Sequence, residues 1–273
     1  MKIIAWDTSS KVGCLVALEW DEKLKTGWDG VRLVAELTLN IEATHSEQLL
    51  WGIHQLLSAC RWKLQEIHLF GVGLGPGSFT SLRIGLTTAR TIAHSLKKPL
   101  IGVSSLAVLA RPVALWLEVA EPKAVLVAST DACKGELYAL WGSSRSILDC
   151  VVMGDSGSSE LWKRGVEEKV ISPPELMKSL KRKMGEKKGT AFWVAIGEGR
   201  SRYPESWKTL PLNREIRVPA LGANQVQGKY LGLLVWQAFQ SGLSRSALQV
   251  HPRYLRLPDA ELKLKKNLAE SEK

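Results

Sequence analysis

The chain has 273 residues, of which 45% are hydrophobic, enough for one large domain or two closely joined ones around a substantial core. Its 37 basic and 27 acidic residues give a net charge of +10, which favours a polyanionic partner such as RNA or an acidic protein, or serves solubility alone. No apolar run approaches the roughly 18 residues that span a bilayer, and no signal-peptide pattern opens the chain. The four cysteines lack C-x-x-C spacing, so we expect reduced thiols in a cytoplasmic protein without a membrane partner.

Three strand patterns precede the first helix. They cover Lys2–Trp6, Val12–Trp20 and Val31–Leu39, and the first two form a hairpin pattern around a polar turn that begins at Asp7 and Thr8. The spacing of Thr44 and Glu47 is that of a capping box, which predicts a helix from about residue 45.

A glycine-rich loop then joins an apolar segment, Ile67–Val72, to a second helix. The loop contains Gly75, Pro76 and Gly77, and Ser78 is placed to cap the helix that follows. Such a loop either cradles a phosphate at the helix start or makes an ordinary tight connection. It matches neither standard nucleotide motif, because a Walker loop needs a Lys that is absent here and the dinucleotide fingerprint needs Gly in place of Ser78.

Both helices carry a second stripe of small and polar residues beside the apolar one. Glycine in a helix interior costs about 1 kcal/mol relative to alanine, so the two glycines invite a packing reason, and close approach of another helix is one such reason. A solvated or intramolecular face is the alternative. The stripe residues are His45, Gln48, Gly52 and Gln55 on the first helix and Ser81, Gly85, Thr88 and Ile92 on the second.

The opening pattern recurs about 124 residues later. After a strand at Leu100–Val103 and a helix capped by Ser104 and Ser105, an apolar strand at Ala124–Ser129 ends in Thr130 and Asp131, and a polar turn and another strand follow. This weak repeat is expected if two related halves were joined. Asp7 and Asp131 would then hold a metal–nucleotide from two strand ends, or each would simply bond its own turn.

The remaining third is less informative. It contains a basic run, Lys178–Lys188, a strand at Phe192–Ile196, and a last helix predicted to open within Pro219–Asn224. The five histidines contain no H-x-x-x-H pair, so no zinc or iron site of that type is predicted.

Five motifs together resemble the TsaB family, also called YeaZ, which acts in biosynthesis of threonylcarbamoyladenosine at position 37 of tRNA. They are A-W-D-T-S at 5–9, T-H-S-E-Q-L-L at 44–50, G-L-G-P-G-S-F-T-S-L-R-I-G at 73–85, I-G-V-S-S-L-A at 101–107 and D-A-C-K-G-E-L-Y at 131–138, with Y-L-R at 254–256 fitting the family's C-terminal end. The resemblance is dense to residue 141 and thin over 150–215.

The resemblance implies an α/β fold of the actin-like ATPase type, with two RNase H-like halves of mixed sheets flanked by helices. It implies a first half at 1–106 plus 220–256, a divergent second half at 107–219, and a charged tail at 257–273. The family's catalytic relative, TsaD, holds its metal through two histidines four residues apart. By motif these positions fall at Ser105 and Leu109, which cannot replace imidazole ligands. The family therefore implies a non-catalytic subunit without a metal.

The resemblance also implies partners. The stripe residues are expected to dock a TsaD-type catalytic subunit in a helical bundle, a TsaE-type ATPase belongs to the same pathway, and contact with tRNA is expected to be indirect. Homodimerisation without the partner stays open, as does ATP or ADP at the interface. No cofactor is expected for this chain alone, and Asp7, Thr8, Gly75, Pro76, Gly77, Ser78 and Asp131 would be vestigial nucleotide loops.

One alternative function belongs to another class. A stand-alone ATPase or phosphotransferase of the same fold would use Asp7, Asp131 and the glycine loop as its phosphate-facing parts. A weaker option is direct RNA binding by the Lys178–Lys188 run.

Overall fold

The computed structural model describes residues 1–23, 30–40, 45–149, 165–186, 193–208 and 224–256, and the side chains of 45–47 and 183–186 lie outside this description. Two mixed sheets form the framework, each flanked by helices. The predicted capping box at Thr44 and the predicted tail at 257–273 lie outside the described residues, and the basic run Lys178–Lys188 and the predicted start of the last helix do so in part.

The first sheet has five strands in the order β3-β2-β1-β4-β5. The first three strands are antiparallel neighbours, and β4 and β5 continue the sheet in parallel with β1. The strands are β1 (Lys2–Asp7), β2 (Val12–Trp20), β3 (Val31–Asn40), β4 (Leu69–Gly73) and β5 (Leu100–Val103).

The second sheet repeats this plan with four strands in the order β8-β7-β6-β9. Its first three strands in the chain are again antiparallel neighbours, and β9 runs parallel to β6. Asp131 closes its first strand as Asp7 closes β1, which confirms the repeat that the sequence suggested. The strands are β6 (Val125–Asp131), β7 (Leu137–Ser143), β8 (Glu167–Ile171) and β9 (Trp193–Ile196).

Helices cover both faces of the first sheet, which is why β1 is apolar at every position before Asp7 except its half-buried first residue, Lys2. Side chains alternate across a strand, so Ile3 and Ala5 enter one core while Ile4 and Trp6 enter the other. The helices are α1 (His45–Cys60), α2 (Phe79–Ser95), α3 (Ser105–Ala120), α4 (Ser144–Asp149), α5 (Pro173–Glu186), α6 (Glu198–Arg202), α7 (Pro204–Lys208) and α8 (Gly228–Gln240).

The helices divide between these cores. The first core also contains residues of α3 and α8, and the second contains residues of α1 and α2. Helix α8 returns to the first sheet, where Gly232 lies against Leu18 of β2. The predicted boundary at 106/107 falls after the second residue of α3, and the division of the chain into halves stays a prediction.

The predicted boundaries of strands and helices agree best with the structure where turn or capping residues flank the element. Val12–Trp20 and Leu100–Val103 form strands over those residues, and Ser78 and Ser104 cap helices through their hydroxyl groups. The last helix was predicted too early, since it begins at Gly228 and residues 224–227 precede it as turn and extended chain.

Two sequence-based expectations concern the environment of the chain. None of the helices in the described ranges combines the length and apolar character needed to cross a bilayer. Cys14, Cys60 and Cys133 are free thiols, and Cys150 lies outside the described residues.

Candidate functional site

Asp7, at the carboxyl end of β1, is buried and bonded within the chain. Its Oδ1 accepts hydrogen bonds from the backbone N–H of Ser9, at 2.8 Å, and from the Ser9 hydroxyl, at 2.6 Å. Its Oδ2 accepts the hydroxyl proton of Ser105, the first residue of α3. Asp7 therefore closes its own turn and ties β1 to α3.

The glycine loop also directs its backbone groups inward. The N–H of Gly75 donates to Oγ of Ser105 at 3.1 Å, and the N–H of Ser78 donates to the carbonyl of Ser9 at 2.8 Å. The Ser78 hydroxyl accepts from the N–H of Ser81 and so caps α2, as predicted. Two amide groups that a phosphate cradle would need are thus engaged within the chain.

Thr8 and Trp6 fasten the start of α2 to β1. The Thr8 hydroxyl donates to the carbonyl of Ser81 at 2.7 Å, and the indole N–H of Trp6 donates to the carbonyl of Gly85 at 3.0 Å. A Cβ at Gly85 would lie 2.2 Å from Oγ1 of Thr8. The small size of Gly85 is therefore required by packing within this chain.

Asp131 occupies the matching place in the second sheet and also bonds its own turn. Its Oδ1 accepts from the N–H of Cys133 at 2.9 Å and from the hydroxyl of Tyr203 at 3.2 Å, and Arg202 lies 3.6 Å from Oδ2. Partial burial, and then the carboxylate of Asp131, raise the pKa of Tyr203, which keeps its hydroxyl protonated and able to donate.

A pocket of about 370 Å³ lies between the glycine loop and the turn after Asp131. Three segments line it: the glycine loop with the start of α2, the turn after Asp131, and the C-terminal segment 253–256. Of the residues predicted for nucleotide loops, Pro76 and Gly77 line the pocket, whereas Asp7, Thr8, Gly75, Ser78 and Asp131 do not.

The C-terminal segment crosses between the two sheets. The N–H of Arg253 donates to the carbonyl of Leu74 at 3.0 Å, while its guanidinium group lies 2.8 Å from Oε2 of Glu168 on β8. That carboxylate is fully buried, its Oε1 accepts the hydroxyl proton of Ser104, and Oε2 lacks hydrogen-bond geometry, so its contact with Arg253 is chiefly Coulombic. The segment thus binds both halves of the framework.

Tyr254 and Arg256 of the segment likewise contact different parts of the chain, one beside each sheet. The Tyr254 ring packs on Phe79 with centroids 5.0 Å apart, and its hydroxyl oxygen accepts from Nε of Arg83 on α2. Arg256 donates to the carbonyl of Ala132 at 2.9 Å, in the turn of the second sheet. Sequence reasoning used Y-L-R only as a family mark and missed this role, which the alternation of polar and aromatic residues could have suggested.

These contacts determine whether the pocket between the two loops can bind a metal–nucleotide. The carboxylates and the two loop amides that would face its phosphates are hydrogen-bonded inside the chain, and segment 253–256 lines the same pocket. The residues present therefore do not fit the two-loop nucleotide site. Binding of ATP or ADP at an interface with a partner subunit is a separate prediction. The contacts within this chain do not test it.

The stripe predicted to dock a partner contains two buried glycines. Gly52 is buried against Leu15 and Leu39, with side-chain atoms 3.1 to 3.3 Å from a Cβ built there, and Gly85 is buried against Thr8. Leu15 of β2, Leu39 of β3 and Thr8 fill the space beside these two glycines, and the docking stripe itself stays a prediction. Gln48, Ser81, Thr88 and Ile92 are half-buried, Gln55 is exposed, and the side chain of His45 lies outside the described residues.

The outer surface of α1 carries two large apolar side chains instead. Leu50 is 58% exposed and Trp51 is 53% exposed. His54 and Gln55 lie one turn further along on the same exposed side.

Comparison with known proteins shows similarity to one group of related proteins. Residues 33–152 match the family model described as TsaD, tRNA N6-adenosine threonylcarbamoyltransferase. The chain is 26% identical to the Escherichia coli "tRNA threonylcarbamoyladenosine biosynthesis protein TsaB" over 94% of this chain and 95% of the relative. It is 27% identical to the Haemophilus influenzae protein of the same name over 94% of each.

The chain is thus similar to TsaB (YeaZ) proteins along nearly its whole length. The solved structure of YeaZ from Pseudomonas aeruginosa is 23% identical, superposes with a TM-score of 0.65, and covers 93% of this chain and 99% of its own. The predicted α/β fold of the actin-like type, with two RNase H-like halves, is thereby confirmed.

Two positions bear on the metal site that the sequence resemblance implied for TsaD. Ser105 and Leu109, the positions that the resemblance assigned to its metal-binding histidines, are both buried. The Ser105 hydroxyl donates to Asp7 and accepts from Gly75, and Leu109 lies in the core beside α8. In the described ranges, no three His, Cys, Asp or Glu side chains are grouped so that they could hold a metal ion.

Proposed function

We propose that this chain is a scaffolding and activating subunit of the complex that forms N6-threonylcarbamoyladenosine at position 37 of tRNA. The observation that carries the proposal is similarity along 94% of the chain to relatives named for that biosynthesis. In this role the chain pairs with a TsaD-type catalytic subunit, works beside a TsaE-type ATPase, and acts in the cytoplasm.

The chain's own residues support a role without catalysis. A hydroxyl group is a weak metal ligand and an isobutyl group is none, so Ser105 and Leu109 cannot supply the metal site of a threonylcarbamoyl transferase. Ser105 contributes instead to folding, since its hydroxyl joins β1, the glycine loop and α3.

The outer surface of α1 is the docking face that we propose for the catalytic subunit. Exposed aromatic and large aliphatic side chains anchor protein interfaces when a partner covers them. Leu50 and Trp51 are such side chains, and they lie on one of the two helices by which TsaB relatives are expected to meet TsaD.

The experiment measures binding to a TsaD-type protein with purified chains. Trp51→Glu should weaken the complex at least about thirty-fold, the effect of losing a hot-spot aromatic, while the thermal unfolding of the isolated chain stays near that of the parent. Val119→Glu is the matched control, because Val119 is 88% exposed on α3, away from α1. Equal binding by the two variants would remove the docking face, and failure of the parent chain to bind would remove the proposed function.

A further inference from the structure

A second pocket, of about 430 Å³, lies at the end of α2 and is lined by basic side chains. His94, Lys97, Lys98 and Arg245 surround it, together with Pro99 and the backbone turn at Ser246 and Ala247. No carboxylate is among its lining residues in the described part of the chain. We call this the basic pocket.

The topology explains why these residues converge. Helix α2 connects two parallel strands, β4 and β5, so it runs antiparallel to them and ends where β5 begins. Arg245 reaches the same place because its carbonyl accepts the N–H of Leu100, the first residue of β5. Charges from the end of a helix, the start of a strand and a distant loop therefore share one surface.

The basic surface continues towards the start of β1. Burial lowers the pKa of His68, and the positive charges of the N-terminus, Lys98 and Lys2 lower it further. On this flank Glu66 is paired with Lys2 at 2.9 Å.

Lys97, directly beyond the end of α2, has a left-handed backbone conformation. Lys97 has a φ of +53°, in the left-handed position that follows a helix, where glycine is the favoured residue. A side chain in this conformation costs about 1 kcal/mol relative to glycine. A cation near a helix end offsets part of that cost through the helix dipole, but one lysine there would suffice and the pocket has four basic groups.

We propose that the basic pocket binds the phosphodiester backbone of tRNA, so that this subunit holds the substrate directly; the inference rests on the proposed function. Clustered lysine and arginine side chains without carboxylates are the usual electrostatic footprint of nucleic-acid binding. The net charge of +10 acts in the same direction by attracting a polyanion to the whole chain. The alternative occupant of the basic pocket is an acidic protein. Retained tRNA binding after neutralisation of the pocket would favour that alternative.

The experiment compares tRNA binding by two double variants of the full chain, alone and with its TsaD-type partner. Lys97→Gly with Lys98→Gln neutralises the pocket, and the glycine suits the left-handed backbone, so the variant should fold at least as well as the parent. Lys181→Gln with Arg182→Gln is the control, because it removes the same charge from exposed positions on α5. The control also tests the basic run that the sequence offered as an alternative.

The pocket variant should bind tRNA about ten-fold more weakly at moderate salt, and its slope of log K against log salt should be shallower by about 1.5 to 2, roughly one for each lost phosphate contact. The control should bind like the parent. Equal losses in both variants, or no loss in the pocket variant, would overturn the inference. If tRNA binding is unchanged while modification still requires the chain, the inference fails and the proposed function stands; if modification proceeds equally without the chain, the proposed function fails.

Discussion

The hydroxyl of Ser105 donates a hydrogen bond to Oδ2 of Asp7, joining the first residue of α3 to the last residue of β1. The same oxygen of Ser105 accepts the N–H of Gly75, so one side chain connects the strand, the glycine loop and the helix. The residue that a sequence reader would assign to a metal–nucleotide is thus part of the framework.

Asp7→Ala should therefore destabilise the fold much more than Asp131→Ala. Removing Asp7 leaves the Ser9 N–H and two hydroxyl groups without their buried acceptor, a cost of about 3 kcal/mol. Asp131 is less buried, and its loss should cost about 1 kcal/mol. Urea unfolding of both variants measures the difference. Equal losses would contradict this ranking. A stable Asp7→Ala chain that has lost Mg-ATP binding would instead favour the stand-alone ATPase.

Substitution of each helix glycine by alanine should change the free energy of unfolding by clearly different amounts. At Gly85 the new methyl group would overlap Oγ1 of Thr8, and overpacking of this kind should lower the free energy of unfolding by about 2 kcal/mol or more. At Gly52 the neighbours are leucine methyl groups at 3.1 to 3.3 Å, and the gain in helix propensity should hold the change within about 1 kcal/mol. Denaturant unfolding of the isolated chains gives the ranking. If Gly85→Ala unfolds like the parent but no longer binds the TsaD-type subunit, the glycine stripe is a docking face after all.

Stability should depend on pH through Glu168. Burial raises the pKa of this carboxyl above its ordinary value of 4.5, although Arg253 and the hydroxyl of Ser104 oppose the shift. The folded chain then binds the proton more tightly than the unfolded chain does. The stabilising contribution is complete below the unfolded pKa and is lost as pH rises through the folded pKa.

Glu168→Gln removes this titration. The unfolding free energy of the parent minus that of the variant should fall as pH rises from below 4.5 towards neutrality. Glu175→Gln provides a control of opposite sign, because hydrogen bonds from Ser172 lower the pKa of exposed Glu175. Parallel pH profiles for the parent and Glu168→Gln would contradict the prediction.

Local sequence signals predicted the first half of the fold well, and for identifiable reasons. Ser78 and Ser104 indicate helix starts because a hydroxyl can cap free N–H groups, and short, largely apolar runs indicate β1 and β2. The recurrence of Asp7 as Asp131 likewise predicted a second sheet that repeats the first.

The candidate site was predictable only in part, because periodicity cannot say which of two helical stripes faces the sheet. Gly52 and Gly85 fit against Leu15 and Thr8, residues far away in the sequence. The pairing of Arg253 with Glu168 and the convergence of Lys97 with Arg245 are equally non-local. Contacts of this kind depend on the assembled topology and leave no short-range pattern.

The central claim is that this chain activates formation of threonylcarbamoyladenosine without carrying out the transfer itself. The most direct measurement is mass spectrometry of tRNA nucleosides from a reaction reconstituted with TsaD-type and TsaE-type proteins, with the parent chain, with Trp51→Glu, or with neither. The account predicts full modification with the parent chain, a large loss with Trp51→Glu, background without the chain, and none by the chain alone. Equal modification with and without the chain would contradict it.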